Sequence, residues 1–227
     1  MPSAHPASTF SRRALLRASA STAALAVTAA FAPVALAQRK SDAPISVEEL
    51  MKPDALGDLS IGKADAPCTI IEYASMTCPH CAQFHNAVLP RIKEKYIDTG
   101  KVRFIMREFP LDTLAVAASM LTRCAGGEKT IPLLGVFFAK QEDWAFERAN
   151  QIPGLFKIAQ QAGFTKDSFD KCLTDQPLYD KIVQGRDRAS KTFGVDSTPA
   201  FFINGKKLTD APTIESFDKA IAEIVKS

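Results

Sequence analysis

Thr69-Ile-Ile-Glu-Tyr-Ala-Ser-Met-Thr-Cys78-Pro-His-Cys81 runs from a short β-rich segment into a cysteine pair. Residues 69–74 follow Pro67 and suit a buried strand. From Pro79 a helix is expected, with Phe84, Val88, Ile92 and Tyr96 along one face and Gly100 past its end. Pro90 should kink it. Cys78 then lies at the mouth of that helix, facing unpaired N–H groups and the positive dipole end, both of which favour a thiolate. Cys81, inside the first turn, is close enough to bridge to it and better covered. Pro79 costs little at the first helical position, where its missing N–H would be unpaired anyway. His80 is expected to donate to, or charge-pair with, the Cys78 thiolate. These are the demands of thiol–disulfide exchange. Thiolate stabilisation favours the reduced form, by about 1.4 kcal/mol per pKa unit, which makes the disulfide form an oxidant.

Outward from the motif, Lys101 to Phe109 reads as a second strand, with Val102, Phe104 and Met106 on one face and Arg103 and Arg107 on the other. Residues 111–193 read as successive helices, punctuated by Gly126-Gly127, Asn150 to Pro153, Gly163 and Pro177. Thr198-Pro-Ala-Phe-Phe-Ile203, Asn204-Gly205 and Lys206 to Thr209 form a type I′ hairpin signal. Thr213 caps a last helix with Ile214, Phe217, Ile221 and Ile224 on or near one stripe. The fold class is α/β, with an all-helical block inserted at 111–193. Residues 38–56 read as a flexible lead, with one short edge strand expected before Pro67.

Residues 1–37 read as a cleavable export signal. Arg12, Arg13 and Arg17 precede an Ala/Val/Leu-rich stretch, and Ala35-Leu36-Ala37 fits the cleavage pattern. The paired arginines resemble a twin-arginine signal; the general secretory route stays open. A periplasmic location is expected, where disulfides persist. The chain of 227 residues carries a net charge of +3, and the three arginines before Ala37 account for all of it. The remainder has no basic excess, so a nucleic-acid surface lacks support.

The alternative to exchange at the motif is a metal clip from Cys78, Cys81 and His85. A closed zinc site wants four ligands, and no fourth is close in sequence. Cys68 opens the first strand and reads as a small buried apolar residue. Phe137, Phe138, Trp144 and Phe146 read as core of the helical block, with the rim of a substrate groove as the alternative for some of them, Met76 as part of an apolar landing surface, and Asp112 as a helix cap.

Glu72 through Cys81, the helical block and Ser197-Thr198-Pro199 together resemble the DsbA-like branch of the thioredoxin superfamily, most of all its alphaproteobacterial members. The resemblance covers residues 57–227. It implies a thioredoxin fold, made of 57–110 and 194–227, with the helical insertion between. It implies that Cys78 is the nucleophile, Cys81 the resolving thiol, and Pro199 a cis-proline facing the pair, against a prior of about 5% for any X–Pro bond. Thr198 would pair with an extended substrate segment. Glu72 would be the proton acceptor beneath Cys81; the residue reading alone leaves a solvent-facing Glu open. Cys124 and Cys172 are similar to a second, non-catalytic disulfide in such proteins, with two free thiols as the alternative. Disulfide oxidation of reduced exported proteins by a monomer is implied, with a quinone-linked, DsbB-like membrane oxidase for regeneration and no bound cofactor or metal. Thr198 also resembles isomerase and reductase relatives, which keeps that direction open. A peptide-binding chaperone without redox chemistry is the reading from another class.

Overall fold

The computed structural model describes residues 46–146, 149 and 151–225. The export signal at 1–37 and the first part of the lead lie outside the described residues.

Five strands form one sheet in the order β1-β3-β2-β4-β5: β1 Leu59–Ile61, β2 Cys68–Ala74, β3 Val102–Glu108, β4 Ala200–Ile203 and β5 Lys206–Lys207. β2 and β3 are parallel, joined by the crossover that contains the cysteine motif; the other pairings are antiparallel. β1 is the expected short edge strand. Every residue of β2 is buried, as a central parallel strand with both faces covered requires. Its side chains alternate between two apolar clusters. Cys68, Ile70 and Ala74 join Val102, Phe104, Met106, Phe201 and Ile203 on one face. Ile71 and Tyr73 join Ile105, Phe193, Val195 and Phe202 on the other. The period-two rule therefore turns Glu72 towards the first face, under the cysteine helix.

That helix runs over residues 79–97 and alternates α and π turns. The disturbance expected at Pro90 is met by a π turn over Phe84–Val88, where the Leu89 N–H bonds to Phe84 O. The widened turn lets the chain pass a residue that has no N–H to give. Phe84 is the helix's main anchor, 4.6 Å from Phe201 and 5.5 Å from Phe217 between ring centroids. Phe217 belongs to the last helix, Ile214–Val225, whose first turn is capped by Thr213.

The described part of 111–193 contains no strand. Its helices are Thr113–Ala125, Thr130–Ala139, Gln151–Gln161, Lys166–Leu173 and Gln176–Phe193. Asp112 caps the first of them by accepting from Ala115 N at 2.7 Å. Leu133, Phe137, Phe138 and Trp144 are continuous with the apolar face under the cysteine helix. Phe146 departs from expectation: it is half-exposed, because the turn it ends lies at the surface.

One reading needs correction. The 38–56 lead is not flexible over its described residues. Val47–Met51 is a helix capped by Ser46, and Leu50 is buried in the second cluster. Arg107, on the strand face opposite Val102, Phe104 and Met106, is also buried. Its guanidinium forks onto Asp58 at 2.8 and 3.2 Å and reaches Leu50 O, Lys52 O and the Tyr73 hydroxyl. All five N–H donors are used, so the lead is tied to the sheet by one side chain.

The Asn204-Gly205 turn has φ of 44° and 86°, as a type I′ turn demands. Asn204 Oδ1 accepts from Thr69 N at 2.7 Å, which ties the hairpin to the start of β2.

Candidate active site

Cys78 has extended backbone (φ −82°, ψ 119°) and caps the helix that Pro79 opens. Its N–H bonds to Ser75 O at 3.1 Å, which closes the turn out of β2. Both motif cysteines are free thiols, so the pair is in its reduced form. The Cys78 thiol is pulled down from its ordinary value near 9 to about 5. The largest cause is a hydrogen bond from the Cys81 thiol; the main-chain N–H groups of Cys81 and His80 add to it, against burial. The Cys81 thiol moves the opposite way, raised by burial first, then by the bond it gives Cys78 and by the charge of Glu72. One sulfur is thus set to be anionic and the other to hold its proton.

His80 contributes differently from what its side chain suggests. Its imidazole is exposed, and its main-chain N–H faces the sulfur. Thr198–Pro199 is a cis peptide, and Thr198 O lies 3.4 Å from Cys78 Sγ. The buried Thr198 side chain also helps to lower the Cys78 thiol. Beside this meeting point opens a groove of about 480 Å³, lined among others by His80, Val88, Arg91, Pro199 and Ile214.

Met76 is not a landing surface. It is buried, and Thr122 Oγ1 donates to its sulfur. Around it lie partners that sequence reading missed. Gln141 Nε2 donates to Met76 O at 2.7 Å and to Cys78 O at 3.0 Å, holding the loop from inside. Thr77 Oγ1 donates to Asp112 Oδ2 at 2.8 Å. No local motif announces Gln141, which comes from 63 residues away.

Glu72 has no solvent exposure, and its Oε2 is 2.7 Å from His85 Nε2. His85 therefore faces Glu72. Among the described residues no group of three or more His, Cys, Asp or Glu is placed to hold a metal ion. Cys68 is buried, which pushes its thiol up to about 11. Cys124 and Cys172 are disulfide-bonded with Cα atoms 6.2 Å apart. A bridge over 48 residues stabilises by about 4 kcal/mol on the chain-entropy model.

A redox pair at a helix mouth, opposed by a cis-proline on a sheet of this order, defines the thioredoxin class. The thioredoxin family model matches residues 54–223, and the chain belongs to that family. Within it the chain is DsbA-like. It is similar to Wolbachia pipientis alpha-DsbA1, with 33% identity, a TM-score of 0.72, and coverage of 80% of this chain and 96% of that one. It is 33% identical over 171 residues to a putative protein-disulfide oxidoreductase of Rickettsia bellii, covering 74% of this chain and 65% of that protein. A probable disulfide bond formation protein D of Bacillus anthracis is 29% identical over 177 residues, covering 74% of this chain and 78% of that protein. The chain thus spans less than two thirds of the Rickettsia relative's length.

The reactivity of Cys78 gives a direct prediction. Iodoacetamide alkylation of the reduced protein should rise through an inflection near pH 5 and be flat above pH 7, with Cys81 unmodified. An inflection near the ordinary thiol value would mean that the helix mouth does not hold the anion. A thiol that ionises more readily in the fold than out of it stabilises the reduced protein at high pH. The contribution to the reduced fold is complete above about pH 9, where an unfolded thiol is also ionised, and is lost as pH falls towards 5.

Proposed function

We propose that the protein is a periplasmic thiol–disulfide oxidoreductase that donates its Cys78–Cys81 disulfide to reduced exported proteins. A substrate thiolate attacks Cys78 Sγ, the Cys78–Cys81 bond breaks, and its electron pair goes to Cys81. A second substrate thiolate then attacks the substrate sulfur of the mixed disulfide. The substrate leaves with a disulfide, two electrons poorer, and the protein is left as the dithiol. A quinone-linked, DsbB-like membrane oxidase takes those electrons back. The protein works as a monomer, needs no bound cofactor, and reaches the periplasm through the signal read at 1–37.

The single observation that carries this direction is the opposed setting of the two thiols. A Cys78 thiolate held at about 5 stabilises the dithiol, so giving the disulfide away is favourable. The groove beside Pro199 supports an extended peptide as substrate. The names of the relatives agree with the chemistry.

Thr198 before the cis-proline favours a second reading, a disulfide isomerase or reductase. Both are tested by mixing the oxidised protein with reduced, unfolded ribonuclease, and the reduced protein with scrambled ribonuclease. Stoichiometric disulfide transfer in the first mixture, with slow reshuffling in the second, is the expected result. Fast reshuffling with poor transfer would replace the oxidase reading by the isomerase one.

A further inference from the structure

We propose that His85 relays the proton of the resolving thiol between Glu72 and solvent. The inference rests on the exchange reading above and names the route its proton takes.

Glu72 cannot trade protons with water by itself, because it is fully buried. One of its oxygens, Oε1, is buried with no hydrogen-bond partner, while Oε2 is bonded to His85 Nε2 at 2.7 Å. The charge of Glu72 acts on the Cys81 thiol. His85 is the next group out. Its side chain is 6% exposed against none for Glu72. It also lines a cavity of about 120 Å³ whose other named walls, such as Leu59, Phe104, Met106 and Leu134, are apolar. Phe138 stacks on the ring, with centroids 3.9 Å apart, and holds its plane. Among the described residues Glu72 of β2 is the one titratable group bonded to His85, with Cys81 beyond it. The walls supplied by β1, β3 and the Thr130–Ala139 helix carry no charge at this point. An imidazole has two nitrogens, so it can take a proton on one and release one from the other.

When a substrate thiolate displaces Cys81 from Cys78, one S–S bond forms, one breaks, and the electron pair rests on Cys81 Sγ. Glu72 gives a proton to that sulfur, takes one from His85 Nε2, and His85 takes one from solvent. The net transfer is one proton from water to Cys81. Regeneration runs the same path outward. His85 acts through Glu72, so it is a positioning residue in the relay and touches no reacting sulfur.

The test follows reduction of the oxidised protein by dithiothreitol, with acid quenching and rates normalised to dithiothreitol thiolate, from pH 5.5 to 8.5. His85→Gln keeps a side chain that can bond Glu72 but cannot titrate. It should slow the normalised rate by at least about tenfold, the low side of what general acid–base groups contribute. It should also flatten the pH profile, while Cys78 alkylation in the reduced form stays at the wild-type rate. Free imidazole should restore rate to His85→Ala, whose vacated space adjoins the existing cavity. Wild-type protein in D₂O supplies a check without substitution: reduction should slow more than alkylation does. His85→Gln matching wild type in rate and profile, or no extra slowing in D₂O, would overturn the relay and leave the exchange reading standing. Cys78 alkylating with the profile of an ordinary thiol would overturn both.

Discussion

Cys78→Ser is expected to lose thiol–disulfide exchange completely, with transfer to reduced ribonuclease falling to the uncatalysed background. The substitution swaps sulfur for oxygen in a site only 5% exposed, so the fold should survive. The chemistry does not, since a hydroxyl stays protonated at neutral pH and forms no disulfide. Cys81→Ser makes the complementary prediction. Given a disulfide-bonded partner such as scrambled ribonuclease, its Cys78 thiolate still attacks one S–S bond and releases the other sulfur as a thiolate, and with no Cys81 to displace the partner the mixed disulfide accumulates as a covalent adduct that mass spectrometry detects. The two variants together separate enzyme from binding module. A chaperone that used the groove as a clamp would keep its function in Cys78→Ser, and that result would end the redox account.

Arg107→Leu is expected to be the most damaging single change to stability, at about 3–5 kcal/mol, the range for removing one partner of a buried ion pair. The Arg107 side chain is 2% exposed and that of Asp58 5%. With the guanidinium gone, Asp58 keeps a buried charge without its fork, and Leu50 O, Lys52 O and the Tyr73 hydroxyl lose a donor. The 47–51 helix loses its tie to β3 at the same time. Arg107→Lys, with charge but no fork, should fall between the two. Urea midpoints of the oxidised proteins measure the effect. A midpoint for Arg107→Leu equal to that of the wild type would show that the network contributes nothing net.

The chemistry was legible because its signals are local. A strand, a proline at the first helical position and two cysteines one turn apart lie within fourteen residues, and helix-end electrostatics acts over the last few of them. The order of the elements and the hairpin were legible for the same reason: Asn204-Gly205 prescribes its own backbone. His85 was read as a spare metal ligand because spacing alone sets it beside Cys81. The strand that turns Glu72 towards it is 13 residues away in sequence.

What the residues determined by themselves is the reactive pair, the strand–helix frame around it and the type of turn that returns the chain. Each follows from conformational preference or charge within one or two turns of backbone. Tertiary structure alone decided that Arg107 is buried with four partner residues, that Met76 is core, that Gln141 grips the motif loop, and that Glu72 meets His85. These depend on which side chains meet across a packed sheet, over separations of 13 to 65 residues. A buried polar group has to find a partner somewhere, and only the completed fold shows which one it found.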